Sequence, residues 1–393
     1  MTSPTRQKAP NGSRILLFVV GYVLLNVLIA WVEWEPGVEA RIGPGVHSIL
    51  SANLKYVGNA GCAGSDCHSA DKATEQSGQL IGDELDIWSE SDPHAHAYAS
   101  LGNADSKKIA TALGIDSAAK SSRCLTCHAM DVPAGQRGEL FALKDAVGCE
   151  SCHGPAEKWL EPHKKTGWTS KERTGIGAKG MWEKYGLADT SNLGVRANTC
   201  VACHLQIGKD MIDAGHPPLE FELYAYSYYV SKKDKEFATH WDDSRHGKMI
   251  DARLWATGQA AALAAAQAQV AAWKKKQWDT AEPEAMAKLY GAGVAIAKKH
   301  FGAETADKLA EVEITPAKAA AAAGALAELG ATADNKMRRR IVGFGVAALG
   351  SSTFTGRDKD VPDSFWEAYE AATSGKGGDA YTAALKKMAS LAK

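Results

Sequence analysis

The cysteines constrain this chain more than any other feature. All eight fall in four pairs, and each pair is followed at once by histidine: Cys62-Ala-Gly-Ser-Asp-Cys67-His68, Cys124-Leu-Thr-Cys127-His128, Cys149-Glu-Ser-Cys152-His153 and Cys200-Val-Ala-Cys203-His204. Two thiols about one helical turn apart can form thioethers to both vinyl groups of one porphyrin, and the adjoining histidine then reaches the iron. The pattern predicts four covalently attached c-type haems, with His68, His128, His153 and His204 as proximal ligands. The first pair encloses four residues rather than two, so its loop must bulge. Structural zinc and a disulfide framework are the competing readings of paired cysteines, yet neither requires a histidine after every pair.

Four porphyrins also explain how residues 58–246 can fold with little regular apolar periodicity, since the rings themselves form the core between short helices and Gly, Pro and Ser turns. Two stretches flank this region. On the N-terminal side, Arg6, Lys8 and Arg14 precede the uncharged run Ile15–Val32, which is long enough to cross hydrocarbon. Positive charge before the run and Glu33 and Glu35 after it orient the remainder across the cytoplasmic membrane, into the compartment where covalent haem is attached. A cleaved signal peptide ending at Val38-Glu39-Ala40 is the alternative, and it exports the same residues. The expected organisation is therefore a tail over 1–14, a membrane anchor over 15–32, a tether over 33–57, a haem domain over 58–246 and a further domain over 247–393.

That last region contains no cysteine and is rich in alanine, as in 259–272 and 317–327. Thr315-Pro316 reads as an N-cap followed by proline at the first helical position, Gly330 as a stop, and Pro283 and Pro362 as openings of two other helices. Leu263, Val270, Trp273, Leu289, Val294, Leu309, Leu326, Ile341, Phe344, Phe365 and Leu385 supply a core for an antiparallel bundle of about five to seven helices. The fold class is thus mainly α with little β structure. With 45 basic against 46 acidic residues, the chain shows no nucleic-acid footprint. Lys274-Lys275-Lys276 and Arg338-Arg339-Arg340 read as solvated helix faces.

Besides the proximal set, eight histidines remain: His47, His94, His96, His163, His216, His240, His246 and His300. A second histidine makes an iron six-coordinate and suited to electron transfer, whereas an open position permits chemistry.

Over about residues 58–246 the chain resembles the cytochrome c554 family of tetrahaem proteins, related through haem packing to hydroxylamine oxidoreductase and the multihaem nitrite reductases. The resemblance is most specific at Gly148-Cys149-Glu150-Ser151-Cys152-His153-Gly154-Pro155 followed by His163-Lys164-Lys165-Thr166-Gly167, and it implies a ligand at His163. Ser91-Asp92-Pro93-His94-Ala95-His96-Ala97-Tyr98 is similar to the segment that supplies another distal ligand, at His94, with His96 its neighbouring competitor. Ala214-Gly215-His216-Pro217-Pro218 and His240-Trp241-Asp242-Asp243-Ser244-Arg245-His246 resemble later ligand segments, which implies His216 and His246. His240 stays open, while His47 and His300 are expected to be exposed. The resemblance also implies one five-coordinate haem, at the position of His128. The histidine count instead favours four bis-histidine sites.

The expected function is that of an electron carrier tethered to the inner membrane, with its bulk in the periplasm and with redox proteins, quinol-linked or periplasmic, as partners. It is also a candidate subunit of a larger membrane complex. The rival is a nitrogen-oxide or hydroxylamine redox enzyme using an open iron, with Tyr224, Tyr226, Tyr228 or Tyr229 as proton or radical donor. Leu254-Trp255-Ala256-Thr257-Gly258-Gln259-Ala260-Ala261 looks like the lead-in to a further haem motif in longer relatives, but no cysteine follows.

Overall fold

Short, frequently capped helices follow from a sequence in which Asn, Asp, Thr or Glu stands at many helix starts. In the computed structural model, residues 53–392 are described except 64–66, 70–73, 77–78, 83, 166, 228, 231–236, 239–240, 242–245 and 355–360. The run Ile15–Val32, residues 33–52 of the tether with His47, Tyr228 and His240 lie outside the described residues. Among the described residues, no helix is long and apolar enough to cross a membrane.

Among its described residues the haem-motif region carries ten helices: α1 (Glu84–Ser91), α2 (Ala97–Ser100), α3 (Ala104–Ala112), α4 (Ser122–His128), α5 (Cys149–His153), α6 (Leu160–His163), α7 (Thr174–Tyr185), α8 (Leu193–His204), α9 (Lys209–Asp213) and α10 (Leu223–Tyr226). A π-helical turn, Trp168–Arg173, leads into α7. The strand content is two short antiparallel pairs among the described residues, β1 (Thr74–Gln76) with β2 (Gln79–Ile81) and β3 (Tyr229–Val230) with β4 (Phe237–Ala238). The chain is mainly helical, as its composition predicts. Asn103 caps α3 by accepting from Ser106 N, Asn192 caps α8 by accepting from Gly194 N and Val195 N, and Glu222 caps α10 by accepting from Ala225 N.

Seven helices follow among the described residues: α11 (Ile250–Lys275), α12 (Ala281–Phe301), α13 (Ala306–Glu311), α14 (Pro316–Gly330), α15 (Lys336–Ser351), α16 (Asp363–Thr373) and α17 (Asp379–Leu391). Thr315 caps α14 as its sequence predicts, its hydroxyl accepting from Lys318 N. Pro283 stands inside the first turn of α12 rather than at its start, which is tolerated because the first four helical N–H groups have no partner in the helix. Gly330 is the last residue of α14, and its lack of a side chain admits Leu385, Val342 and Tyr381.

The alanine-rich helices pack closely because small side chains let backbones approach. A methyl group on Gly345 of α15 would fall 2.6 Å from Trp255 Nε1, and one on Gly258 of α11 would fall 2.7 Å from Leu223 Cβ. The Trp255 segment is therefore core, with Trp255 buried edge-on to Phe301. The same apolar cluster runs from Leu193, Ala197 and Val201 of α8 through Phe221 and Leu223 to Met388 of α17. The helix carrying the fourth Cys-x-x-Cys-His motif thus shares one core with the alanine-rich helices.

Two expectations need correction. The arginine run of α15 is not a solvated face: Arg338 pairs with Asp334 and Glu282, Arg339 donates to the carbonyls of Gly375 and Ala333, and Arg340 pairs with Glu220. These side chains reach loops and helices that the run's own sequence does not reveal. His300 is half-buried in α12 with its Nε2 shielded from solvent, whereas the neighbouring Lys298 and Lys299 are exposed.

Candidate functional site

Each regular Cys-x-x-Cys-His motif ends a helix. α4, α5 and α8 finish on His128, His153 and His204. Residues i, i+3 and i+4 share a helical face, so both sulfurs and the imidazole project to the same side. The helix must then stop at once. After His153 it does so at Gly154, whose φ of 75° and close approach to the Gly186 carbonyl leave no room for a Cβ. The irregular first motif is built differently, with Cys62 closing the 3-10 turn Asn59–Gly61 and His68 held by a hydrogen bond from Leu85 N to its carbonyl, 2.9 Å.

Motifs one and three are tied together by side chains whose role the motifs themselves do not announce. Asn59 Oδ1 accepts from Cys149 N at 3.0 Å. Glu150, fully buried between the two cysteines of the third motif, accepts from Val57 N at 2.9 Å, Gly58 N at 2.7 Å and Ala156 N at 2.7 Å. Burial raises its pKa, and these three N–H donors offset part of that shift.

Three proximal histidines each face a second histidine from elsewhere in the chain. The ring centres of His68 and His163 are 6.3 Å apart with planes 6° from parallel. His94 and His204 are 5.8 Å apart at 84°, and His128 and His216 are 6.2 Å apart at 79°. Two imidazole nitrogens, each about 2.0–2.1 Å from one metal, are roughly 4 Å apart, which sets their ring centres roughly 6 Å apart. All three pairs have that separation. His96 is exposed, which leaves His94 as the member of that segment that meets a proximal histidine.

The protonation pattern fits ligation. Nδ1 of His68 meets Glu84 Oε2 at 2.9 Å, Nδ1 of His94 meets Asp92 Oδ1 at 2.9 Å, and Nδ1 of His128 meets the Ala97 carbonyl at 3.1 Å. Nδ1 of His163 and of His216 meet the carbonyls of Leu160 at 2.5 Å and Pro217 at 2.8 Å. Carbonyl and carboxylate oxygens accept only, so the proton sits on Nδ1 and Nε2 keeps its lone pair for a metal. Burial pushes His204 down to about 4 and lowers His128 and His163, which keeps these rings neutral. His68 is raised, chiefly by its hydrogen bond to Glu84.

The fourth proximal histidine, His153, has Nδ1 3.5 Å from Thr190 Oγ1, and its carbonyl accepts from Ala188 N. The chain then runs through Asp189, Ser191 and Asn192 into the wall of a cavity that His246 also lines.

None of the eight cysteines is joined to another by a disulfide. Desolvation pushes Cys152 up to about 12 and Cys200 up to about 11, a setting for neutral sulfur rather than thiolate. Among the described residues, no three His, Cys, Asp or Glu side chains converge as a bare metal site. Sulfurs from different motifs nevertheless influence one another's ionisation: Cys62 and Cys149 act on each other, Cys127 raises Cys203, and Cys200 raises Cys152. Paired imidazoles with Nε2 left for iron, beside neutral sulfurs on the same helical faces, fit covalently bound haem. Among the tyrosines, Tyr226 lies edge-on to His204 with ring centres 4.8 Å apart, but its hydroxyl donates to the Glu220 carbonyl at 2.6 Å. It packs against the site rather than offering it a proton.

A helical chain whose Cys-x-x-Cys-His helices present histidines to partner histidines is built as a c-type cytochrome, a class of electron carrier. Residues 58–154 match the family described as cytochrome c554 and c-prime, so this segment, which contains the first three cysteine motifs, is cytochrome c554-like. Neither the curated proteins nor the solved structures contain a match to the chain.

Proposed function

We propose that the chain is a membrane-tethered periplasmic electron carrier with four covalent haems, each held by two histidines. The observation that carries this reading is the set of three facing histidine pairs, each joining a Cys-x-x-Cys-His or Cys-x4-Cys-His histidine to a distant one at about 6 Å. His68 with His163, His128 with His216 and His204 with His94 would hold three irons, and His153 with His246 would hold the fourth. The cysteine pairs 62/67, 124/127, 149/152 and 200/203 would form the thioethers.

When bound, the haems supply reversible one-electron Fe(III)/Fe(II) chemistry. The protein's part is to hold ligands, exclude water and set potentials. Glu84 and Asp92 place carboxylates on proximal and distal imidazoles, which stabilises the ferric state, whereas the carbonyl partners of His128, His163 and His216 do so less. The mutual influence of sulfurs from different motifs supports neighbouring sites, 62/67 with 149/152 and 124/127 with 200/203.

His216 opposite His128 supports a closed sixth position at the site where the family resemblance implies an open one. This favours carriage over catalysis. The run Ile15–Val32 supports an inner-membrane anchor, and a quinol-linked or periplasmic redox protein is the partner class, within a larger membrane complex or free of one.

The test is made on the chain purified from solubilised membranes. Pyridine haemochrome and intact mass should give four haems per chain, the ferric EPR spectrum should be wholly low-spin, and the reduced protein should bind no CO. A high-spin signal with CO binding near one per chain would overturn the four bis-histidine reading.

A further inference from the structure

Arg253 stands in the first turn of α11 with its side chain half-buried. Nη1 donates to the His246 carbonyl at 3.1 Å and Nη2 to the Val312 carbonyl at 3.3 Å. These acceptors orient the guanidinium without neutralising it. Nε is buried and has no partner, and among the described residues no carboxylate lies within 4.0 Å of the group. Burial lowers its pKa, as expected of a cation taken from water with no counter-ion beside it.

The group lies on the wall of a cavity of about 370 Å³, together with His246, Arg173, Thr174, Asp189 and Asn192. The other guanidinium there is matched, since Arg173 Nε is 3.8 Å from Asp189 Oδ2. Glu311 also reaches the wall but is not within ion-pair distance of Arg253. Among the described residues, Arg253 is thus a half-buried cation of this cavity with no carboxylate within ion-pair distance. Three N–H groups of Arg253 remain for an acceptor, and a planar guanidinium is shaped to bind a carboxylate or oxyanion through parallel hydrogen bonds. The Ala188–Asn192 segment links this wall to the third motif, because Thr190 packs against His153 on one side while Asp189 and Asn192 line the cavity on the other.

We propose that Arg253 is the counter-ion of a carboxylate seated in this cavity, the propionate of the haem attached at Cys149 and Cys152. The inference rests on the covalent-haem reading above. A free small oxyanion has the same chemistry, so the experiment separates the two sources. Arg253 acts here as a positioning residue that also raises the potential of that haem, because a fixed cation favours the ferrous over the ferric state.

The test uses the full haem-loaded chain and three variants, Arg253→Leu, Arg253→Gln and Arg253→Lys. In spectroelectrochemical titration, Arg253→Leu and Arg253→Gln should lower one of the potentials and leave the others in place, while Arg253→Lys should recover most of the loss. Calorimetry with formate and with inorganic phosphate should show no saturable binding to the unsubstituted protein. Unchanged potentials in a neutral variant that retains its full haem content would overturn the proposal, as would a loss that Arg253→Lys does not rescue at all. Saturable formate binding that disappears in Arg253→Gln would overturn the propionate as the occupant. Arg253→Gln provides the neutral arm if the leucine variant does not fold. A chain purified without covalent haem would instead overturn the haem reading itself, an outcome seen before any variant is titrated.

Discussion

The imidazoles of His68 and His163 lie 6.3 Å apart and 6° from parallel, although one ends the first cysteine motif and the other lies beyond the third. The first motif has the widest cysteine spacing of the four, yet its histidine meets a partner at the same separation as the regular ones. Glu84 holds one ring of the pair and the Leu160 carbonyl the other.

Removing His163 should therefore open one iron. His163→Ala should retain its full haem content, since the thioethers are untouched, and should show one high-spin ferric haem with CO binding close to one per chain. The check is EPR with a CO titration of the dithionite-reduced protein. A spectrum that stays wholly low-spin would remove His163 from the ligand set.

Glu84 should tune the same site. A hydrogen bond to a charged acceptor contributes about 1.5–3 kcal/mol, and here it favours the ferric state by making His68 more electron-rich. Glu84→Gln should raise one potential by tens of millivolts, measured by spectroelectrochemistry. His94, whose partner is the buried Asp92, should respond to Asp92→Asn in the same direction.

Glu222 should make stability depend on pH. Burial pushes its carboxyl up to about 7 from an ordinary value of 4.5, and the nearby Asp251 adds to the shift. The group is ionised in the unfolded chain before it is ionised in the folded one. Its contribution is complete below about pH 4.5, declines as pH rises and is gone above about pH 7, a loss of a few kcal/mol. Glu222→Gln keeps an acceptor for Ala225 N and should flatten this part of the profile. Denaturant midpoints of both proteins between pH 4.5 and 8 provide the measurement, and equal slopes would count against the assignment.

Close packing in the shared core gives a fourth expectation. A side chain at Gly345 meets Trp255 at 2.6 Å and Leu326 at 2.8 Å, so Gly345→Val should destabilise the fold by about 2–3 kcal/mol. Gly324, on the preceding helix α14, has open space where a Cβ would stand, and Gly324→Ala should be neutral or slightly stabilising. Thermal unfolding of the two variants compares them directly.

The sequence by itself determined the haem-attachment chemistry and the helical class. Cys-x-x-Cys-His is a local pattern: i, i+3 and i+4 share a helical face whatever the rest of the chain does, and helix caps such as Thr315 depend on residues three apart. The histidines that face proximal ones were also legible as candidates, at His94, His163 and His216, but not their partners, and His246, a further candidate, lines a cavity. Only the tertiary structure decided that His94 meets His204, that His128 meets His216, and that His96 remains outside. It also brought Glu84, Asp92 and the Ala97 carbonyl to the ring nitrogens, turned the Arg338–Arg340 run to internal partners, and set Arg253 at a cavity wall with its guanidinium held by the His246 and Val312 carbonyls. Those relationships join residues far apart in the chain, whose approach depends on how helices pack around a common core, and local spacing carries no record of that packing.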